Sequence, residues 1–570
     1  MLATVAAAAI GVCVTVALVA LPFVWRRRRV RNALLFVLGV SATLVGAIAL
    51  TARPRLEQWL RATVIETLER KLNSDVELER ISVHLGPVTR ISGGPLVIRH
   101  RGRRDTPPLV QLEHFDTTLT WREMLSRPRR VDTVTLTGLA IVIPPSPGEG
   151  QPRLPGLGGD DDSTTAEDAP AAAQPKEGSE DERRDDGRPP AVLIGKVTAD
   201  AATLTILPRD PRKTPRRFVM HELTVSDISS DRPMKFTTVL DNPQPRGRIE
   251  TGGTFGPWNA ESPAQTPLQA SYKFVDADLS TIRGIAGVLQ SEGTYAGVLE
   301  RIEAVGKTTT PEFSLDVGGR PLELVTQFSV IVDGTNGNTY IQPAEAMLGK
   351  ATPIRVTGGV VKAEDRRGRT VDLAMTIAGG RLEEVLALAM DGPAVMTGRI
   401  DLDAAMLIPP GPVPVVEKMT LDGRFTLGRT MFRSRTVQAK LDELSRRAQG
   451  RVDDATVARV VSGFSGRFKM ADGVIRFPTL RFRVDGARVD LAGSYTLKGK
   501  GLYFDGRIRL DAGVSRMVGG TKSILLRPFD GLFRRDGYTE FPIRIRGTVN
   551  KPEFGVDVKE TLKRALLPGR

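Results

Sequence analysis

GRIDL (398–402), GRFTL (423–427), GRFKM (466–470), GSYTL (493–497) and GRIRL (506–510) repeat one short phrase: glycine, variable, apolar, variable, apolar. Looser copies begin at Gly253 (GTFG), Gly293 (GTYAG) and Gly547 (GTVNK). Alternate residues of a strand share a face, so each phrase reads as a strand with one apolar side. A glycine ahead of it suits a tight turn or bulge that restarts the ladder. A longer echo pairs GKTTTPEFSLDV (306–317) with GTVNKPEFGVDV (547–558), which marks repeated β units.

The same alternation extends toward the N-terminus. Val76 and Leu78 face one way, and Ile81, Val83 and Leu85 follow after a one-residue slip that suggests a bulge. Val110 and Leu112, then Leu119 and Trp121, then Val134 and Leu136, then Ile141 and Ile143 continue it. At about 12–15 residues per strand and turn, 75–146 and 195–557 provide about 30 strands. Helical periodicity is confined to 54–73, 277–289, 381–390, 437–449, 454–463 and 558–567. The 57 Gly and 39 Pro also favour turns and short strands over a helical bundle. A sheet of that size curls or splits. The expected fold is mainly β: a long curled antiparallel β-sheet groove with a few short helices, preceded by N-terminal transmembrane helices.

Those helices are read at 2–25 and 33–50. Residues 1–25 carry no charged side chain and are long enough to span a bilayer. A cleaved signal peptide fits badly, because the positive charges follow the apolar run. Arg26, Arg27, Arg28, Arg29 and Arg31 fill the connector and place it on the cytoplasmic side. The bulk of the chain then faces the opposite side, which in a bacterium with two membranes is the periplasm, with the anchor in the inner (plasma) membrane. Residues 54–73 form an amphipathic helix with Leu56, Trp59, Leu60, Val64, Leu68 and Leu72 on one stripe. That stripe suits the bilayer surface, the open end of a sheet, or packing on the first strands.

Residues 147–190 hold 12 acidic and 5 basic residues and almost no large apolar side chain. They read as a disordered acidic linker, and deleting them is expected to leave folding intact. The chain thus divides into an anchor (1–53), a helix with the first strands (54–146), the linker (147–190), a central β-repeat region (191–430) and a C-terminal region (431–570).

The net charge of +14 does not indicate nucleic-acid binding, since no dense basic block remains beyond the anchor. Cys13 is the single cysteine, and His84, His100, His114 and His221 share no metal-ligand spacing. VGGTKS (518–523) lacks the Gly-Lys pair of a phosphate loop. Asp442 and Glu443 read as a charged helix face. No catalytic residue, metal or cofactor is expected, and the protein is read as a non-enzyme.

LERKLNSDVELERISVHLG (68–86), VDTVTLTGLAIVIPP (131–145), TGGTFGPWN (251–259), 266–297, KLDELSRRAQG (440–450), FRVDGARVDLAGSYTL (482–497) and FPIRIRGTVNKPEFGVDV (541–558) together resemble the AsmA-like family of bacterial envelope proteins. The resemblance rests on apolar strands and glycines, and the two spans and the acidic insertion depart from the family's usual single anchor. It implies a repeating β-groove that moves phospholipid between inner and outer membranes. The alternative it implies is an envelope scaffold or assembly factor that influences outer-membrane protein assembly through protein contacts.

In the groove reading, the partners are membrane lipids, held by their acyl chains, together with the inner membrane and envelope proteins. The groove lining is expected at Phe468, Met470, Leu480, Phe482, Val484, Leu502, Phe504, Ile508, Leu510, Phe541, Ile543 and Ile545. The same residues could equally pack against helices or a second sheet as an ordinary core. Arg481, Arg483, Arg507, Arg509, Arg544 and Arg546 alternate with them and are expected on the outer face, as solubilising charge or as attractors of anionic headgroups.

Overall fold

The computed structural model describes residues 54–84, 88–102, 106–120, 123, 129–145, 192–208, 215–229, 231–316, 318–363, 368–390, 392–452, 460–518, 530–549 and 551–556. The candidate spans, the connector arginines, the acidic linker and residues 558–567 lie outside these. Among the described residues no helix is long and apolar enough to cross a membrane. The chain is mostly strand with few helices, and it forms two compact units. One comprises 1–142, 149–202 and 225–228; the other comprises 143–148, 203–224 and 229–570.

The first unit opens with a helix, α1 (54–72), followed by β1 (Ser74–His84), β2 (Val88–His100), β3 (Val110–Leu112), β4 (His114–Thr120), β5 (Arg129–Thr137), β6 (Leu139–Ile143) and β7 (Val192–Ala199). Among the described residues β1 pairs with β2 alone, which leaves it an open edge. α1 covers that edge: Glu57 Oε1 accepts the Val83 N–H at 3.0 Å, and Arg61 Nε donates to the Leu78 carbonyl at 2.5 Å. Covering an edge with a helix removes a template for aggregation. These bonds come from polar side chains of α1; of its apolar stripe, Trp59 is exposed and Leu56, Leu60, Val64, Leu68 and Leu72 are half-buried.

The slip between Leu78 and Ile81 is not an inserted residue. Leu78 faces Leu96 and Arg80 faces Gly94, so the pairing keeps one offset through it. Instead both strands exchange their buried side together: Val76 and Leu78 give way to Ile81 and Val83, while Leu96 and Ile98 are buried opposite. A second departure is that β5 and β7 are parallel. Parallel neighbours need a crossover of a dozen or more residues, and the long connection through the acidic segment supplies it.

The second unit is a meander. Its strands are β8 (Ala202–Ile206), β9 (Arg216–Ser226), β10 (Met234–Pro243), β11 (Arg246–Phe255), β12 (Leu268–Asp278), β13 (Ile285–Ala286), β14 (Val288–Val298), β15 (Arg301–Leu315), β16 (Leu322–Val332), β17 (Thr339–Leu348), β18 (Thr352–Lys362), β19 (Arg369–Arg381), β20 (Met396–Ile408), β21 (Thr420–Phe432), β22 (Ser462–Ala471), β23 (Val474–Val484), β24 (Ala487–Thr496), β25 (Leu502–Leu510), β26 (Arg534–Arg535), β27 (Tyr538–Thr548) and β28 (Lys551–Val556). From β10 onward each strand pairs antiparallel with the next, with β13 and β26 as two-residue side strands. β21 runs across residue 430, so the sheet does not break between the central and C-terminal regions.

Connections alternate between two rims. The first rim carries a 3₁₀ turn (Leu279–Thr281) and the helices α2 (Leu382–Ala387), α4 (Arg435–Ala448), α5 (Val514–Val518) and α6 (Asp530–Phe533). Among the described residues the second rim carries mostly tight turns, a 3₁₀ turn (Pro263–Gln265) and one short helix, α3 (Val415–Lys418). The helix expected over 277–289 is absent: β12 runs to Asp278, and Gly284 and Gly287 adopt φ of +97° and +128°, outside helical space. The stretch expected to be helical to residue 463 is strand from Ser462 onward.

The sheet is not flat. Arg283 Nη1, on the first rim beside β14, donates to the Pro412 carbonyl at 3.3 Å, on the second rim beyond β20. Those strands are six steps apart, which at about 4.8 Å per step would separate them by roughly 29 Å in a flat sheet. The strands must coil for opposite rims to meet. Register shifts, as between Ile377 and Gly380 and between Phe477 and Leu480, supply local bends.

Candidate functional site

From β20 to β27 one face of the second unit carries the charge. Register partners there form ladders: Asp403 with Arg424, Asp422 with Lys469, Arg481 with Asp490, Arg509 with Glu540, and Asp505 with Arg544. Arg546 adds two bonds to Asp505 at 2.8 and 2.9 Å, and Arg507 reaches Glu540 at 3.3 Å. Arg481, Arg507, Arg509, Arg544 and Arg546 are thus matched across strands by carboxylates of the same face, whereas Arg483 faces Arg488 in register. This is how a solvated sheet face organises its charge, at well under 1 kcal/mol per exposed pair.

The opposite, inward face carries the apolar residues, and registry aligns them in rows. One row runs Leu427, Phe464, Phe482, Val489, Ile508, Phe541. The next runs Phe425, Gly466, Leu480, Leu491, Gly506, Ile543. A third joins Phe477, Gly493, Phe504 and Ile545.

The phrase glycines belong to these rows. Gly423, Gly466, Gly493 and Gly506 sit inside strands, on the same parity as the apolar residues that follow them. They are not turn residues, although Gly398 does sit at a register shift. A Cβ on Gly466 would lie 2.7 Å from the Thr479 carbonyl oxygen and 3.3 Å from the Phe425 ring. One on Gly493 would lie 2.7 Å from both Cα and Cδ1 of Phe504. Each glycine lets the strands close up toward the inward face, and at Gly423, Gly466 and Gly493 an aromatic ring lies over it. Phe425 and Phe477 meet across Gly466 with centroids 6.4 Å apart, and Phe477 and Phe504 meet across Gly493 at 5.8 Å. Phe468 joins Phe425 at 6.2 Å, so four rings form one chain.

The expected lining residues are all buried or half-buried on this face, but they fall in two environments. Phe482, Val484, Ile508 and Leu510 form a core cluster with Ala448 and Val460; Phe541 and Ile543 pack against it. Leu441 and Leu444 of α4 and Met517 of α5 close it from the first rim. α4 is fixed there by polar bonds: Ser445 Oγ to the Asp485 carbonyl at 2.8 Å, and the Val460 N–H to Asp442 Oδ1 at 2.9 Å. Asp442 is therefore a structural acceptor, and Glu443 pairs with Arg447 at 2.7 Å.

Phe468, Met470, Leu480, Leu502, Phe504 and Ile545 are absent from that cluster and lie toward the second rim. Phe468, Leu480, Leu502 and Ile545 are half-buried, as are Phe477 and Tyr495, which sequence reasoning missed. Phe477 precedes a proline, which masked its alternation with Ile475.

The inward face between β10 and β15 has a different chemistry. Thr251 Oγ1 donates to the Ser271 carbonyl at 2.7 Å and lies 2.9 Å from the Tyr295 hydroxyl; Tyr272 lies 2.9 Å from Ser291 Oγ. Burial pushes the Tyr272 and Tyr295 phenols up, against the opposing effect of those bonds.

No family model, curated protein or solved structure matches this chain. The functional reading therefore rests on the faces themselves.

Proposed function

We propose that this chain is an AsmA-like envelope protein, anchored in the inner membrane with its bulk in the periplasm, whose coiled sheet forms a groove for phospholipid acyl chains in transit toward the outer membrane. One observation carries the reading: from β20 to β27 charge stands on one face, mostly in matched pairs, while the inward face beyond α4 and α5 keeps half-buried aromatic and aliphatic rows. Apolar surface of that kind gains about 0.8 kcal/mol for each CH₂ it takes from water. Many weak contacts hold an acyl chain without trapping it, as a conduit requires. The cross-strand carboxylates favour solubilising charge over headgroup capture for the outer arginines.

The lining that serves this function is Phe468, Phe477, Leu480, Leu502 and Ile545. Phe482, Val484, Ile508 and Leu510 act as the core that holds the helices. The test uses the full-length chain and the double variant Phe468→Asp, Leu502→Asp, compared by native mass spectrometry with lipid extraction. Wild-type protein is expected to retain phospholipid, and the variant to lose it while keeping the wild-type circular dichroism spectrum. A folded, lipid-free wild type overturns the conduit and leaves the alternative of a scaffold for envelope proteins, to be sought by crosslinking.

A further inference from the structure

Opposite rims of the second unit meet at two places. At the first, residues 283 and 284, on the first rim between β12 and β14, meet 412 and 415, on the second rim between β20 and β21. Arg283 bonds to the Pro412 carbonyl there. A Cβ on Gly284 would lie 3.2 Å from Val415 Cγ2 and 3.5 Å from its Cβ, so the two rims also pack. At the second place, Arg216 at the first-rim end of β9 lays its guanidinium in the space that a side chain on Gly337 would fill, in the second-rim turn after β16. Each meeting joins rims six strand steps apart.

The shared offset fixes the size of what the sheet encloses. Six steps cover about 29 Å, and the 13 residues of β20 run about 43 Å from first rim to second. The path between meeting rims is the diagonal of these two, about 52 Å, and closed on itself it spans about 16 Å between backbones. Two sheets that pack solid stand about 10 Å apart. The enclosure is therefore a bore with space in it. The inward side chains agree: Tyr272, Phe274, Tyr295, Ile302 and Phe328 are half-buried, not buried. Gly253, Ala270 and Ala304 share a row with Tyr295, and Gly293 and Gly306 share one with Tyr272, so small residues keep the bore wide.

The bore also differs in chemistry from the groove beyond it. Thr251, Tyr272, Ser291 and Tyr295 put hydroxyls on the inward face, and neither of those rows holds a charge from β11 to β15. The rows through Phe482, Leu480 and Phe504 hold no hydroxyl. An acyl chain needs no hydrogen bond. The ester and headgroup of a lipid do, once they leave water, and hydroxyls that both donate and accept can supply it. Beyond β21 the first rim carries α4 and α5 against the inward face instead.

We propose that β9 to β20 form a closed sleeve, which a phospholipid threads lengthwise with its headgroup inside, and that the groove open at its side begins only beyond β21. The inference rests on the conduit reading and adds a route to it.

The test uses the full-length chain with a diazirine-bearing aliphatic residue in place of Val330, which faces Ala304 inside the sleeve, or of Leu502 in the groove. The probe is phosphatidylethanolamine biotinylated on its headgroup, either free or bound to streptavidin, and photocrosslinked lipid is read by mass spectrometry. Free lipid is expected at both positions. Streptavidin-bound lipid is expected at 502 and lost at 330, because its headgroup cannot enter a closed bore. Streptavidin-bound lipid at 330 shows a trough open at the side; it overturns the sleeve and leaves the conduit standing. Free lipid at 502 alone, or streptavidin-bound lipid lost at both positions, also overturns the sleeve. No lipid at either position overturns the conduit and the sleeve with it.

A pinned seam gives the second measurement. Gly284→Cys with Val415→Cys, in a Cys13→Ser chain, starts from a Cβ separation within the roughly 3.5–4.5 Å of a disulfide. Free lipid is expected at 330 equally in the oxidised and reduced forms, since threading leaves the seam shut. Loss on oxidation shows that the seam must part, and overturns the threading route. Arg283→Cys with Pro412→Cys, joined by a short bismaleimide, keeps Gly284 and gives the same measurement if the first pair does not fold.

Discussion

Replacing Gly493 by alanine tests the physical account of the repeated phrase. The added Cβ would stand 2.7 Å from Phe504 Cα and from its ring, with the Tyr503 carbonyl oxygen closer still. Ordinary contact begins near 3.4 Å. The ring can rotate away, but the Cα and the carbonyl belong to the β24–β25 ladder, so the two strands must part by several tenths of an ångström. Overpacking of this kind costs typically 1–3 kcal/mol. Because backbone must yield, about 3 kcal/mol is expected, roughly a 150-fold fall in the folded-to-unfolded ratio. Gly428→Ala is the control: nothing lies within 4 Å of its Cβ position and its φ is not left-handed. Alanine there is expected to be neutral or to stabilise by a few tenths of a kcal/mol. The assay is urea unfolding, with hydrogen exchange across 487–510 to localise the effect. If G493A unfolds at the same urea concentration as G428A, the phrase glycines are not close-approach positions and the reasoning fails.

Glu384 is buried and accepts from the Lys350 N–H at 3.0 Å, the Ala351 N–H at 3.3 Å and Thr352 Oγ1 at 2.6 Å. Glu384→Ala should cost about 1–3 kcal/mol in urea unfolding, from donors left unpaired at the β17–β18 turn. Arg61→Ala and Glu57→Ala together should free the edge of β1, giving faster hydrogen exchange at Leu78–Val83 and concentration-dependent association in sedimentation; an unchanged monomer with unchanged exchange counts against the capping role of α1. Tyr295 is held above its ordinary value mainly by burial. Its contribution should be complete below the unfolded value of about 10 and fade as pH rises through the folded value. Tyr295→Phe should flatten that alkaline loss, and phenolate absorbance in the wild type should show this tyrosine titrating late.

The pattern of alternation was sufficient for strands and for faces. Leu480, Leu502 and Ile545 could be assigned inward, and Arg481, Arg507 and Arg544 outward, because side-chain direction in a strand has a period of two. Helices α1, α2 and α4 were legible from a period near 3.6. The 277–289 stretch was misleading, because its apolar spacing fits a helix while Gly284 and Gly287 require left-handed backbone. The phrase glycines read as turn residues because glycine's conformational freedom is visible in a sequence and its lack of a Cβ against a neighbouring strand is not.

What the sequence determines by itself is local: strand or helix, and which residues share a side. What lies above each side is set by partners distant in the chain. Only the tertiary structure separates Phe482, under α4, from Phe468, toward the second rim, though both stand in apolar–basic alternation. It also brings Arg216 to Gly337 and Arg369, across six strand steps, because coiling of the sheet is the accumulated result of many small bends and no single residue encodes it.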